Sequence, residues 1–65
     1  MPSGTVTEFS DARGLGTVTG DDGASYPFHV IEIVDGSRTV DVGQRVRFQP
    51  LAKFGRYEAG RLDKV

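Results

Sequence analysis

Few side chains in this sequence are equipped for covalent chemistry. The chain holds one histidine, His29, and no cysteine, which removes thiolate nucleophiles, disulfides and cysteine-based zinc sites. Acyl transfer of the triad type needs a nucleophile, a base and an orienting acid in one place. The four serines, Ser3, Ser10, Ser25 and Ser37, lie in turn-like or terminal stretches, where hydroxyls ordinarily bond the local backbone. Asp21-Asp22 is a carboxylate pair, but adjacent turn acids are solvated and the spacing of a calcium loop is absent. Gly14-Leu15-Gly16 shares the start of a dinucleotide fingerprint. That motif opens a helix within a βαβ unit of about 30 residues, whereas a strand follows here. The two glycines read instead as relief of backbone crowding or a sharp bend. No enzymatic activity, metal or cofactor is expected.

Non-covalent recognition has more to work with. Arg13, Arg45, Arg47, Lys53, Arg56 and Arg61 supply six of the eight basic residues, and arginine both stacks and pairs with phosphate. Phe54 and Tyr57 flank Gly55-Arg56. Phe54 either caps the core or offers a ring to a ligand; for Tyr57 a packed ring with an exposed hydroxyl is the favoured reading. Nine acids outweigh eight bases, for a net charge of −1 and a pI near 5.6. Proteins that bind nucleic acid by charge alone usually carry a clear positive excess, so any such binding here must rest on local geometry.

The elements that position these residues are short. Sixty-five residues form one domain, 1–65, and a chain of this length buries about 60% of its unfolded surface, which leaves no room for most enzyme architectures. No apolar run approaches the ~18 residues of a membrane span and no signal peptide opens the chain. A soluble, unprocessed, cytoplasmic protein is expected. Nine glycines and short Val- and Phe-rich runs between turn residues read as all-β. Strands are expected at 5–9, 15–19, 26–30, 44–49 and 57–62. Pro27 places the third strand at an edge or a bulge. Residues 31–40 read as a connection with one short helical turn, its Ile31, Ile33 and Val34 plugging the core. Gln44 to Gln49 alternates, Val46 and Phe48 inward and Arg45 and Arg47 outward. Pro50 closes this strand, Leu51 to Arg56 forms a basic and aromatic loop, and Ala59 and Leu62 face inward from the last strand. Five strands with the longest connection between the third and fourth match a five-stranded antiparallel Greek-key barrel of the OB class, closed on itself.

Two neighbouring strands carry short patterns, Arg13-Gly14-Leu15-Gly16-Thr17-Val18 and Tyr26-Pro27-Phe28-His29-Val30. With Thr7-Glu8-Phe9-Ser10, Thr39 to Phe48 and Glu58-Ala59-Gly60-Arg61-Leu62, the chain resembles a cold-shock domain from Gly4 to Val65. The family's corresponding segments are Lys-Trp-Phe-Asn, Lys-Gly-Phe-Gly-Phe-Ile, Val-Phe-Val-His-Phe, Thr-Leu-x-x-Gly-Gln-x-Val-x-Phe and Gln-Ala-x-Asn-Val. The resemblance implies a protein that binds single-stranded RNA or DNA by stacking bases on outward aromatics of these strands. Aligned position by position, the family's exposed Trp becomes Glu8, two Phe become Leu15 and Thr17, and two more become Pro27 and Val30; His29 is retained. The expected contact set is Arg13, Leu15, Thr17, His29, Lys53, Phe54, Arg56 and Tyr57, with binding weakened or altered in preference. The alternative is an OB-like module whose former base-binding face, Leu15, Thr17, Pro27 and Val30, contacts protein.

Overall fold

A computed structural model describes residues 2–65. The strands are β1 (Ser3–Ser10), β2 (Leu15–Gly20), β3 (Ser25–His29), β4 (Arg45–Lys53) and β5 (Arg56–Lys64), with one 3-10 turn at Val30–Glu32 between β3 and β4. All pairings are antiparallel and the strand order is β3-β2-β1-β4-β5. Three strands meander and the fourth returns beside the first, which is Greek-key connectivity. Among the described residues no helix is long and apolar enough to cross a membrane.

Alternation along the strands turns one face to a common core. Val6, Val18, Phe28, Val46, Phe48, Ala59 and Leu62 are buried there, so every strand contributes. Tyr26 closes on Phe48 with ring centroids 4.8 Å apart. Pro27 lies on β3, at one end of the strand order, where an absent N–H costs least.

The long connection contributes Ile33 and Val40 to the core, but Ile31 and Val34 are 63% and 51% exposed and plug nothing. The 3-10 turn explains the division, because positions three apart fall on the same side. Val30 and Ile33 therefore face the core while Ile31 and Val34 face water. Leu62 holds the segment through a bridge with Ile33, and its carbonyl accepts from the Val34 amide at 2.9 Å.

Three further expectations are corrected. Pro50 does not close β4, which continues to Lys53 and pairs Pro50 with Ala59. β1 leaves β4 after Arg47, so Pro50 has no second ladder to break. The basic loop shrinks to Phe54-Gly55, both at positive φ, 49° and 84°, as a two-residue hairpin of right-handed twist requires. The sheet is also not closed by hydrogen bonds. β3 and β5 lie side by side, but no ladder joins them.

Candidate nucleic-acid interface

The outward face of β1, β2 and β3 is built by register. Glu8 lies opposite Thr17 and Ser10 opposite Leu15; Thr17 in turn faces Pro27, and Leu15 faces His29. Two rows result, Glu8–Thr17–Pro27 and Ser10–Leu15–His29. They exist because β1 is irregular between Val6 and Glu8. Val6 is inward, and simple alternation would turn Phe9 outward, since the two are three residues apart. The extra residue at Thr7 resets the parity, as a bulge does. Phe9 packs against the core and its ring stacks with Phe28 at 6.3 Å and 8°.

Gly16 sits beneath these rings. A Cβ there would stand 2.5 Å from the Phe28 ring and 2.7 Å from the Glu8 carbonyl oxygen, so a side chain is excluded by crowding. Gly14, at φ 67°, turns the chain into β2, and its amide donates to the Ser10 carbonyl at 2.9 Å. Both glycines thus serve the architecture, as their spacing implied.

Above this floor lie two adjoining open grooves. One, of about 390 Å³, is lined by Glu8, Phe9, Ser10 and Arg13 on one side and Leu15, Thr17 and Pro27 on the other. The second, of about 360 Å³, shares Leu15 and Pro27 and adds His29, Arg56 and Glu58. His29 is exposed and its ring is held: Nδ1 accepts from the Ile31 amide at 3.3 Å. An acceptor at Nδ1 leaves the proton of the neutral ring on Nε2, directed away from the backbone.

The structure brings Arg13, Leu15, Thr17, His29 and Arg56 together around these grooves. Lys53 pairs with Arg56 across the β4–β5 hairpin, next to the second groove. Phe54 is fully exposed at the hairpin tip and caps nothing. Tyr57 is 60% exposed, not packed, because it sits close to the hairpin tip at Phe54-Gly55, where the only ladder is with β4. As Arg56's neighbour in the strand it falls on the opposite face of the hairpin, away from the grooves. Val30 leaves the alternative, protein-contacting face, since it packs against the core. Sequence reasoning passed over Ser10 and Phe9, although the three-residue spacing from Val6 to Phe9 is the signal of the bulge that places them.

Three arginines are partly committed elsewhere. Arg45 makes a two-pronged pair with Asp21, at 2.8 and 2.9 Å; Arg47 pairs with Asp63 and Arg56 with Glu58, each at 3.2 Å. The hydrogen-bonded Arg45 guanidinium holds the Asp21 carboxyl below its ordinary range. Asp22 is lowered likewise, first by the Ala24 amide and then by the Tyr26 hydroxyl, whose own pKa the carboxylate raises. Among the described residues Arg13, Lys53 and Arg61 form no ion pair.

A five-stranded antiparallel sheet in this order, with a partly apolar outward face on its first three strands, defines a small β protein of the OB class. No protein-family model matches the chain. It is 43% identical over 51 residues to the cold shock-like protein CspA of Stigmatella aurantiaca, covering 75% of each chain. It is 41% identical over 49 residues to cold shock protein 2 of Lactiplantibacillus plantarum, covering 74% of each. The solved structure of Drosophila Unr CSD456 superposes with a TM-score of 0.84 at 26% identity, over 98% of this chain and 26% of that one. The chain belongs to the cold-shock protein family.

Proposed function

We propose that this protein binds single-stranded RNA or DNA across the outward face of β1–β3, without chemistry, as a weak or altered-preference binder that holds strands open. The observation that carries the reading is His29, an exposed ring fixed by its own backbone and set beside Leu15 by register. Arg13 and Arg56 border the same grooves, where they can meet phosphates on either side of a stacked base. Leu15, Thr17 and Pro27 offer contact area without the π-face of an aromatic. Stacking on a ring is worth roughly 1–3 kcal/mol per base, which supports a weakened interaction.

A second reading has its own support: Leu15 is 41% exposed beside Pro27, with the Glu8 carboxylate at the rim, a composition that also suits a protein partner.

An NMR titration with a thymidine heptamer at low and near-physiological salt tests the proposal. Shifts should cluster on Arg13, Leu15, Thr17, His29 and Lys53 to Arg56 and fade as salt rises, because phosphate contacts release counterions. For this thymine-only strand Glu8→Trp should tighten binding about tenfold by adding a stacking surface. No shifts at low salt would refute nucleic-acid binding and direct attention to a protein partner, whose contact Leu15→Glu would abolish.

A further inference from the structure

Glu8 is the one acid that the bulge in β1 turns onto the outward face beside Thr17 and Pro27, at the wall of the larger groove. The carboxylates engaged in ion pairs are Asp21, Asp63, Glu58 and Asp35; among the described residues Glu8 forms none. Its neighbours leave it free as well: Thr17 is uncharged, and Arg13 shares the groove without pairing with it. We infer that Glu8 is a specificity-determining residue that selects guanine, an inference that rests on the nucleic-acid reading above.

Strands stand about 4.8 Å apart, so a base lying over Thr17 and Pro27 points its edge at Glu8, one strand away. Single-stranded bases are read along their Watson–Crick edges. An ionised carboxylate only accepts, through two oxygens side by side. Guanine presents two adjacent donors, N1–H and the N2 amine, which match both oxygens. Cytosine and adenine pair one amine with an acceptor nitrogen, so one oxygen meets a lone pair. Thymine and uracil flank a single N–H with two carbonyl oxygens, which repel the carboxylate on both sides. Arg13, on the same groove, remains available for the adjoining phosphate.

The test uses the whole chain and four DNA heptamers, thymidine throughout or with deoxyguanosine, deoxyinosine or deoxycytidine at the centre, titrated at one low salt concentration. A good two-bond contact to a base discriminates by about tenfold. The guanosine strand should therefore bind about tenfold tighter than the thymidine strand. Deoxyinosine lacks the N2 amine and should fall between them. Glu8→Gln replaces one acceptor with a donor, so the preference should collapse to within about twofold. Four equal affinities in the native protein, or a guanosine preference that survives Glu8→Gln, would overturn the inference while leaving nucleic-acid binding standing. Absence of binding to all four strands would overturn the nucleic-acid reading itself, and the inference with it.

Discussion

His29 shows how little an individual side chain needs in order to be usable. Its Nδ1 bond to the Ile31 amide holds the ring, so on the proposed reading little rotamer freedom would be lost to a stacking base. His29→Ala should weaken oligonucleotide binding by about tenfold and leave the unfolding midpoint nearly unchanged. His29→Phe should retain binding, since it keeps the ring and loses only an exposed bond; anisotropy titrations with thermal melts separate the two effects. The outward side of His29 was legible in the sequence, because a period of two holds throughout β3. The same period of two puts Val30 inward with Phe28, where it packs against the core; only the family resemblance set it on the outward face. Tyr57 escaped for another reason. An amphipathic ring is a sound candidate for burial, but Tyr57 follows the exposed hairpin tip at Phe54-Gly55, where β5 is laddered to β4 alone and no core closes over the ring.

The elements were the most readable level. Gly- and Asp-rich turns punctuate strands whose alternation is plain, and the inward placement of Val46 and Phe48 follows from it; Ala59 and Leu62, three residues apart, both face inward because the β4–β5 ladder shifts register between Arg47 and Gln49. Pro50 misled because its cost depends on which side of β4 is occupied, a tertiary fact with no local signature. The β4–β5 hairpin carries the clearest mismatch between residue and conformation. Phe54 holds φ 49°, a region that disfavours side chains other than Asn, Asp and Gly, and it does so fully exposed. A costly backbone position that buries no surface is a pointer to function. Phe54→Asn should therefore raise stability by about 0.5–1 kcal/mol, visible as a higher melting temperature, and lower affinity for a single strand. A variant that is stabilised yet binds unchanged would remove Phe54 from the contact set.

At the scale of the whole molecule, charge sets the response to acid. Asp35 accepts from the Ser37 amide at 2.9 Å and pairs with Lys64 at 3.1 Å. Bonds to Ser37 first, and then Lys64, take its pKa from 3.8 to about 2. Asp21 and Asp22 are also lowered. A carboxyl more acidic in the folded than in the unfolded chain stabilises the fold above its unfolded pKa, and the benefit fades as pH falls through the folded value. Melting temperatures should thus be flat above about pH 5 and decline between 3.8 and about 2, with a shallower decline in Asp35→Asn. A melting temperature equally high at pH 2 and pH 6 would show that these carboxylates do not matter to stability. The missing ladder between β3 and β5 has a mechanical side. His29 ends one of these strands and Arg56 begins the other, and both border one groove. On the proposed reading, a polynucleotide touching the two side chains would work as a clasp over a seam that the backbone leaves unfastened. By linkage, its binding free energy would become resistance to the parting of those strands, so that the cargo would hold its carrier shut.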